Sequence, residues 1–591
     1  MTELFEPTDA SDRRLALGAT GLLRVFNDAG VLTSADVHVA SRVGRLAGEA
    51  DESVLLATAL ATRAVRHGSV GVDLASVADV APALPWPSAD AWVDAVTGSP
   101  LVAHGVLRHE FGLLYLDRYW SQEGQLSRDL QERLAVTPPD VDTSALDAAL
   151  VRVFPGPTYD EQRAASRRAA SQGTTVLTGG PGTGKTTTVA GLLALLAEQQ
   201  ELAGLAPLRI ALTAPTGKAS ARLQGAVALA TGNLEAVDRA RLGDLHAVTL
   251  HRLLGTRRDN GTRFRHHRGN RLPHDVVVVD ESSMVSLTMM TRLVEAVRPD
   301  SRLILVGDPD QLASVEAGAV LADLVAGLYG RVRSPLAHLD TTHRYGAGIG
   351  DLAAALRAGA PDQVLEVLRS GAEGVEFLET DDAAARLRPD LVRAAVELRR
   401  HAEVGARDEA VAALDRHRLL CAHRDGPFGV QHWNRQIEHW LSEVTGDPLY
   451  EPMFVGRPLL ITANDYGLGV YNGDAGVVVS CEDGPRAVIA GSHGLVDFAT
   501  GRMSDVETMF ATTIHKSQGS QAQEVTVLLP PPESRLLTRE LFYTAVTRAR
   551  QHVRVVGTEE SVRAAVDRRA QRASGLRHRL VATGFSAGPA G

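Results

Sequence analysis

Lysine, cysteine and aromatic residues are all scarce in this sequence. Of its 61 lysine and arginine side chains, three are lysine and 58 are arginine. The two cysteines lie far apart, at positions 421 and 481, so we expect neither a disulfide framework nor a cysteine metal site. Aromatic residues make up 4% of the chain, which argues against extensive stacking surfaces. No apolar run reaches about 18 residues, so we expect no membrane span.

Length and charge limit the classes of protein that remain. A chain of 591 residues is too long for one hydrophobic core, so we expect two to four domains. The net charge of −10 argues against a protein that coats nucleic acid through its overall field, although a local basic channel stays possible. The first 14 residues are polar and acidic and do not resemble a signal peptide, so we expect a cytoplasmic protein.

The three lysines are themselves informative. They are Lys185, Lys218 and Lys516. If arginine has replaced lysine wherever either residue serves, the remaining lysines mark positions that need a compact, point-like cation. Each of them falls in a separate motif described below.

Lys185 belongs to a phosphate-binding loop. Residues 174–190 read TTVLTGGPGTGKTTTVA, which is a β-rich run, the pattern GxxxxGK[ST] and then a helical run. In this context backbone N–H groups and a helix N-terminus surround phosphate oxygens. Lys185 is predicted to reach the β- and γ-phosphates of ATP, and the Thr186 hydroxyl to bind Mg²⁺. The other predicted nucleotide-binding residues here are Gly179, Gly180, Pro181, Gly182, Thr183, Gly184 and Thr187.

Two further strands end in polar residues that suit ATP hydrolysis. Val276–Val279 is a continuous apolar strand of the kind found in covered parallel sheets, and Asp280 follows it as the predicted second Mg²⁺ ligand. Glu281 is suited to orienting or deprotonating the attacking water. Gln311 follows the apolar strand in SRLILVGDPDQL and is suited to contacting a γ-phosphate. Ligands gather at the carboxyl ends of strands in open α/β sheets, so we expect these groups to converge.

The ordered set of motifs resembles superfamily 1 helicases. It comprises the phosphate loop, APTGKASARL, TLHRLLG, DESSM, GDPDQL, THRYG, TTIHKSQGSQAQEV and LFYTAVTRAR, spread over residues 159–550. The resemblance implies that Gln162 reads the adenine edge and that Arg344 and Arg548 reach the γ-phosphate from a second motor domain. A bidentate guanidinium suits that role. It also implies a set of DNA-binding residues, namely Thr216, Lys218, Thr249, His251, Asn472, His515, Lys516 and Ser517.

The resemblance also implies the domain organisation. We expect an α/β protein with two RecA-like P-loop motor domains, at residues 146–340 and 341–591, and a helical N-terminal domain at 1–145. A hairpin insertion is expected at about 255–273. Alternating apolar runs and Asn-Gly-Asp, Gly-Asp and Asp-Gly turns predict a small SH3-like β-barrel insertion at about 450–505. In its NDYGLGVYNGDAG loop, Asn464, Asp465 and residues 472–474 are expected to be structural or to face the strand.

Within superfamily 1 the sequence is most similar to the 5′→3′ branch and, in that branch, to the RecD family of exodeoxyribonuclease V (RecBCD) subunits. GDPDQLASVEAG lacks the aromatic residue of the 3′→5′ branch, and LLCAHRDGPFGVQHWNRQIE and PLVAHGVLRHEFGLLYLDRYWSQE resemble RecD segments. This implies an ATP-dependent DNA helicase acting at double-strand breaks in recombinational repair, in a heterotrimer with RecB-like and RecC-like subunits. The N-terminal domain would dock on the RecC-like subunit, and any nuclease activity would belong to a partner.

Two other interpretations remain open from the sequence. One is a stand-alone 5′→3′ helicase of the second RecD type, although the sequence shows no helix-hairpin-helix repeats. The other is a regulatory subunit in which ATP binding only switches assembly. Such a switch needs ATP binding but not rapid turnover, so it would not need a complete set of catalytic residues. The presence of Glu281, Gln311, Arg344 and Arg548 argues against it. An RNA helicase of this branch is less favoured, since the RecD-like segments have no counterpart there.

Overall fold

The computed structural model describes residues 4–5, 9, 11–137, 140–257, 260–331, 333–342, 346–465, 467–491, 494–570 and 572–582. Within these ranges no helix is long and apolar enough to cross a membrane. The helices are α1 (Gly21–Asp28), α2 (Ser34–Ala47), α3 (Glu52–Arg66), α4 (Ala89–Thr97), α5 (Pro100–Ala103), α6 (Asp117–Ala135), α7 (Thr143–Val153), α8 (Asp160–Ala170), α9 (Lys185–Leu202), α10 (Gly217–Gly232), α11 (Ala236–Leu242), α12 (Leu250–Leu254), α13 (Leu287–Ala296), α14 (Val320–Leu328), α15 (Ala347–Ala358), α16 (Pro361–Arg369), α17 (Ala383–Glu403), α18 (Arg407–Leu414), α19 (Val430–Thr445), α20 (Arg539–Val546), α21 (Glu559–Asp567) and α22 (Leu576–Ala582).

The strands form five sheets. They are β1 (Gly71–Val72), β2 (Leu107–Glu110), β3 (Leu113–Leu116), β4 (Thr174–Gly179), β5 (Ile210–Ala214), β6 (Ala247–Thr249), β7 (Thr256–Arg257), β8 (Asn260–Phe264), β9 (Val276–Val279), β10 (Arg302–Gly307), β11 (Leu336–Leu339), β12 (Val375–Glu379), β13 (His417–Cys421), β14 (Pro458–Ile461), β15 (Ala475–Val479), β16 (Arg486–Gly491), β17 (Gly494–Ala499), β18 (Val506–Thr508), β19 (Ala511–Thr513), β20 (Ala522–Leu528) and β21 (Ala549–Gly557).

The N-terminal region is helical but also contains a small antiparallel sheet in the order β1-β3-β2. Helices α1 to α5 share one hydrophobic core with side chains of this sheet, including Leu107 and Leu114. Strands β2 and β3 are joined by Phe111 and Gly112, which both have positive φ, 55° and 73°. Helical apolar spacing did not predict this hairpin. Its strands are four residues long, and its turn places a phenylalanine in the left-handed region, where non-glycine residues are uncommon.

The first large sheet is parallel and has the strand order β11-β4-β10-β9-β5-β6. Its central strand β9, Val276–Val279, is fully buried, because helices cover both faces of the sheet. Two separate hydrophobic clusters result, one on each face. The pairing of Val279 with Leu305 and of Val306 with Leu177 aligns the carboxyl ends of β9, β10 and β4 at one edge. The polar residues that follow these strands therefore meet there.

The second large sheet is also parallel, with the order β12-β21-β20-β13-β19. Helices α15, α16, α20 and α21 pack their apolar side chains on it. The cluster they form also includes Leu312, which follows β10 of the first sheet. The two α/β halves of the molecule, each built on a parallel sheet, are therefore in direct apolar contact.

A five-stranded antiparallel sheet, in the order β17-β16-β15-β14-β18, is inserted into the second half. Apolar residues of β15 alternate between its two faces, as expected for a strand. Val477 and Val479 pack against α17 and α18, and Val478 joins a second cluster with Ile489 and Phe498. Both faces of this sheet are thus covered, one of them by helices of the second half.

The last described segment, residues 572–582, returns to the first half of the molecule. Leu576 and Leu580 are fully buried in a cluster with α6, α13 and α14. The N–H of Val70 donates to the carbonyl oxygen of Ala573 (2.8 Å), and Ser574 Oγ donates to Glu123 Oε1 (2.7 Å). The segment therefore belongs by packing to the first half and the N-terminal region, although in sequence it follows the second half.

We expect Leu580→Ala to lower the free energy of unfolding of the first half, on which α22 packs, by about 2–5 kcal/mol. The substitution removes a fully buried side chain and leaves a cavity. The measurement is urea unfolding followed by tryptophan fluorescence. Val581→Ala is the matched control, since Val581 is 48% exposed on the same helix and should change the free energy of unfolding by no more than about 0.5 kcal/mol. Equal shifts for the two variants would contradict the packing described here.

Candidate active site between the two parallel sheets

The predicted phosphate loop connects β4 to α9. Gly182 and Gly184 have φ values of 87° and 84°, which glycine adopts without the cost that a Cβ brings. A Cβ added at Gly179 would lie 2.7 Å from the carbonyl oxygen of Leu339. The loop therefore needs glycine for its curvature and for its close approach to β11. It also places the N-terminus of the 18-residue helix α9, with its partial positive charge, at the edge of the sheet.

Lys185 is the first residue of α9. Its ammonium donates to the carbonyl oxygens of Gly179 (2.6 Å) and Gly180 (2.8 Å). Thr183 is buried inside the loop, where its hydroxyl donates to Gly180 O (2.9 Å). These bonds fix the shape of the loop and the position of the lysine.

Gln162 lies on α8, beside the loop, and is 1% exposed. Its Nε2 donates to the carbonyl oxygen of Thr183 (3.2 Å). Its Oε1 is buried and has no hydrogen-bond partner among the residues that the structure describes. An unsatisfied buried acceptor costs about 1–3 kcal/mol, so this oxygen fits a ligand that brings its own N–H donor, as the amino group of adenine does.

Asp280 and Glu281 follow β9. Glu281 has a φ of 50°, which is rare outside glycine, so the backbone at this turn is strained. Burial raises the pKa of Asp280, and repulsion from Glu281 raises it further, whereas Lys185 and Arg222 act in the opposite direction. Arg222, on α10, places its Nη1 3.7 Å from Glu281 Oε1. The Asp280 carboxylate and the Thr186 hydroxyl are oxygen ligands that suit a phosphate-bound divalent cation, and the Lys185 ammonium suits the phosphates themselves.

A chain of polar contacts crosses from one half to the other. Arg548, which directly precedes β21 in the second half, donates from Nη2 to Gln311 Oε1 (2.7 Å) in the first half. Gln311 Nε2 donates to Asp308 Oδ2 (3.0 Å). Arg548 also donates from Nε to the carbonyl oxygen of Thr544 (3.1 Å) and is 3% exposed. The guanidinium is therefore held at the boundary between the halves, directly against the predicted γ-phosphate contact.

Three further bonds between the halves were not predicted from the sequence. The Tyr543 hydroxyl donates to Asp308 Oδ2 (3.0 Å), and the N–H of Leu312 donates to Thr544 Oγ1 (2.9 Å). Gln518 Nε2 donates to the carbonyl oxygen of Leu312 (2.7 Å). Burial and the neighbouring Asp308 carboxylate raise the pKa of Tyr543 well above its usual value, so the hydroxyl remains a donor. These residues lie inside recognised motifs, but no sequence pattern pairs them.

Most of the predicted site residues surround one cavity of about 630 Å³. The predicted site residues that line it are Gln162, Pro181, Gly182, Gly184, Lys185, Thr186, Thr187, Asp280, Glu281, Gln311 and Arg548. Gly179, Gly180 and Thr183 form the loop behind them. Tyr159, Arg222 and Asn233 line the cavity too and were not predicted. Arg344 lies outside the described residues, so its predicted role stays a prediction.

The predicted DNA-binding residues of the first half lie on neighbouring loops. Strands β5 and β6 are parallel, with Ala214 opposite Thr249. Thr216 and Thr249 each begin a helix and accept a backbone N–H through the hydroxyl oxygen, from Ala219 (3.1 Å) and from Arg252 (3.3 Å). The ring of His251 packs on the edge of Phe264, with centroids 5.9 Å apart.

Lys218 and Asn472 lie where the first half meets the antiparallel sheet. Burial, and to a smaller extent the charge of Arg418, lower the pKa of the Lys218 ammonium to about 8. A Cβ added at the neighbouring Gly217 would lie 3.2 Å from Tyr471 Cβ, so this loop touches the loop between β14 and β15. Exposed Asn472 belongs to that second loop, where its N–H donates to Asn464 Oδ1 (2.9 Å).

The turn after β19 carries His515, Lys516 and Ser517. Lys516 is exposed and pairs with Glu507 Oε2 (2.8 Å). Ser517 is 2% exposed, and its hydroxyl donates to the carbonyl oxygen of Ile514 (2.7 Å), so it braces the turn from inside. Burial lowers the pKa of His515 to about 4, which leaves the imidazole neutral at pH 7. Of the three, Lys516 is the side chain that the structure presents to solvent.

The chain is similar to several known proteins. It matches the models of an AAA domain (residues 162–317), a UvrD-like helicase C-terminal domain (508–556) and the N-terminal domain of RecBCD enzyme subunit RecD (28–110). It is 61% identical over 578 residues to RecBCD enzyme subunit RecD of Mycobacterium tuberculosis (strain ATCC 25618 / H37Rv), covering 97% of this chain and 99% of that protein.

Two more distant similarities differ in coverage. The chain is 30% identical over 460 residues to the ATP-dependent RecD2 DNA helicase of Deinococcus radiodurans, covering 76% of this chain and 56% of that protein. A crystal structure of Bacteroides Pif1 bound to ssDNA aligns with a TM-score of 0.37 and 16% identity, covering 68% of this chain and 92% of that chain. At that TM-score the similarity supports no structural conclusion.

We expect Tyr543→Phe to weaken the contact between the halves, because Asp308 loses the hydrogen bond from the buried tyrosine hydroxyl. A hydrogen bond to a charged acceptor contributes about 1.5–3 kcal/mol. Amide hydrogen exchange should become faster in residues 308–312 and in α20. Tyr450→Phe is the matched control, since Tyr450 is 89% exposed and should leave exchange in both segments unchanged. Unchanged protection of residues 308–312 in the Tyr543 variant would show that this bond does not hold the halves together.

Proposed function

This chain belongs to the family of RecBCD enzyme subunit RecD, and on that premise we propose that it converts ATP hydrolysis in the cleft into movement along DNA. It is an ATP-dependent DNA helicase subunit. The observation that carries the proposal is the Arg548–Gln311 bond (2.7 Å), which joins the two halves at the wall of the nucleotide cavity. A change at the γ-phosphate would act on this bond and hence on the arrangement of the halves.

The cavity walls suggest how ATP is held. Gln162 Oε1 accepts from the adenine amino group, and the loop N–H groups with Lys185 bind the phosphates. Thr186 and Asp280 would hold Mg²⁺, which supplies positive charge to the β- and γ-phosphates when it is bound. The donor chemistry of these two side chains, a hydroxyl and a carboxylate, fits that ion.

Hydrolysis follows from the side chains around the γ-phosphate. Glu281 orients the attacking water and accepts its proton. Gln311 contacts the γ-phosphate, and Arg548 stabilises the charge that develops on its oxygens. Arg344 is assigned the same role as Arg548 by family resemblance. Because the catalytic glutamate and the arginine come from different halves, turnover requires both halves to be in place.

Movement along DNA would come from closure of the cleft on ATP and its opening after hydrolysis. The strand would cross both halves over Thr216, Lys218, Thr249, His251, Asn472, His515 and Lys516, whose contacts with phosphates do not depend on the base sequence, while the buried Ser517 hydroxyl braces the turn that carries Lys516. The inserted antiparallel sheet is assigned as the SH3-like barrel of the 5′→3′ branch, and the polarity of movement is assigned as 5′→3′ on the same basis.

The assembly is proposed to be a heterotrimer with RecB-like and RecC-like subunits. Residues 1–145 would dock on the RecC-like subunit, and a partner would supply any nuclease activity. The 61% identity to the mycobacterial subunit, against 30% identity to the Deinococcus helicase, supports this assignment over the stand-alone RecD2 type.

We expect Arg548→Ala to bind ATP normally and to lower the rate of turnover by about 10³-fold or more, because it removes a guanidinium from the γ-phosphate. Steady-state ATP hydrolysis and fluorescent-nucleotide binding measure the two effects. Arg435→Ala, which removes the same charge from an exposed position on α19, is the control. A turnover rate within about twofold of the unmodified protein would remove Arg548 from the mechanism.

Strand displacement with 5′-tailed and 3′-tailed duplexes, with and without the partner subunits, tests the polarity. We expect unwinding of the 5′-tailed substrate. Preference for the 3′-tailed duplex would overturn the assigned polarity.

We also expect Lys185→Gln to abolish both unwinding and ATP hydrolysis while leaving the fold intact, because the loop loses the cation that binds the β- and γ-phosphates. Unwinding by the Lys185 variant would overturn the assignment of the ATP site.

A further inference from the structure

Helix α10 connects the predicted DNA-binding face to the nucleotide cavity. It begins at Gly217, capped by Thr216, and carries Lys218 in its first turn. Arg222 follows four residues later, which is about 6 Å along the helix axis and on the same side. Arg222 lines the nucleotide cavity. One turn of helix therefore separates a predicted DNA contact from a basic side chain at the site of hydrolysis.

Arg222 is placed to control the orientation of Glu281. Its Nη1 lies 3.7 Å from Glu281 Oε1, so the guanidinium forms an ion pair with the Glu281 carboxylate. The side chains are 35% and 20% exposed, so solvent screens the pair only in part. A glutamate side chain has several rotatable bonds, and an adjacent guanidinium reduces the number of orientations that its carboxylate samples.

The first turn of α10 also contacts the second half of the molecule. A Cβ at Gly519, in the turn that follows Lys516, would lie 3.6 Å from Ala219 Cβ. Gly217 lies against Tyr471 of the inserted sheet. The start of the helix is thus enclosed by the loops that are predicted to hold the strand, and a displacement there moves the whole rigid helix, including Arg222.

We propose that Arg222 is a positioning residue that couples strand binding at Thr216–Lys218 to the orientation of Glu281. A strand bound over the start of α10 shifts the helix and brings the guanidinium and the carboxylate into the arrangement in which Glu281 can accept a proton from water. ATP turnover then depends on bound DNA through this pair. The inference rests on the proposed function, since it assigns Glu281 as the group that activates water.

The test compares Arg222→Gln and Arg222→Lys in the full-length chain, with oligo(dT) as the strand and ATP as the substrate. We expect Arg222→Gln to lower the DNA-stimulated kcat by about 10-fold or more, the scale of a misplaced catalytic group, with Kd values for ATP and oligo(dT) within twofold of the unmodified protein. Arg222→Lys should recover most of the loss because it restores the charge. Arg435→Gln is the charge-matched control.

A double-mutant cycle separates positioning from direct phosphate binding. In a Glu281→Gln background, Arg222→Gln should change kcat by less than twofold, because the group that it positions is gone. An equal loss of kcat in both backgrounds, or a tenfold rise in the Kd for ATP at unchanged kcat, would overturn the inference and assign Arg222 to the phosphates. Equal DNA stimulation with and without Arg222 would also overturn it. Failure of oligo(dT) to stimulate the unmodified protein would instead count against the proposed function.

Discussion

The buried hydrogen bond between Arg548 and Gln311 joins the two halves at the wall of the cavity, next to the Tyr543–Asp308, Leu312–Thr544 and Gln518–Leu312 bonds. A guanidinium that is 3% exposed has lost its water and must be compensated by acceptors. Arg548 finds them in Gln311 Oε1 and in the carbonyl oxygens of Thr544 and Ser520. Only one of these acceptors lies in the first half. Separation of the halves would therefore remove the one partner that also faces the nucleotide, which ties cleft geometry to the state of the γ-phosphate.

The three lysines occupy different environments. Only the environment of Lys185 explains why an ammonium is needed. The Lys185 ammonium fits between two carbonyl oxygens of a tight loop, where a planar guanidinium would be too large. Lys516 pairs with Glu507, but Arg424 pairs with the same carboxylate, so an arginine is accepted there. Lys218 is half-buried, with a pKa lowered to about 8. The scarcity of lysine therefore pointed to three motifs. The structure gives a physical reason for lysine in only one of them, the phosphate loop.

The ends of the described chain reinforce the first half. Leu576 and Leu580 complete a cluster to which α6, α13 and α14 contribute, and Arg579 lies over the ring of Phe111 in the strained β2–β3 turn. The N-terminal region, which is the proposed docking surface for a partner, is therefore connected through residues 572–582 to the segment that follows the second half.

The sequence by itself determined the features that depend on local backbone geometry. The glycine pattern predicts the phosphate loop, four consecutive valines predict a doubly covered parallel strand, and the polar residues after each strand had to meet at one edge because parallel strands end together. The tertiary structure alone decided the pairings between distant segments. Examples are the Tyr543–Asp308, Leu312–Thr544 and Gln518–Leu312 bonds. These contacts depend on how the two halves dock, and the periodicity of a single segment carries no information about the surface that it will meet.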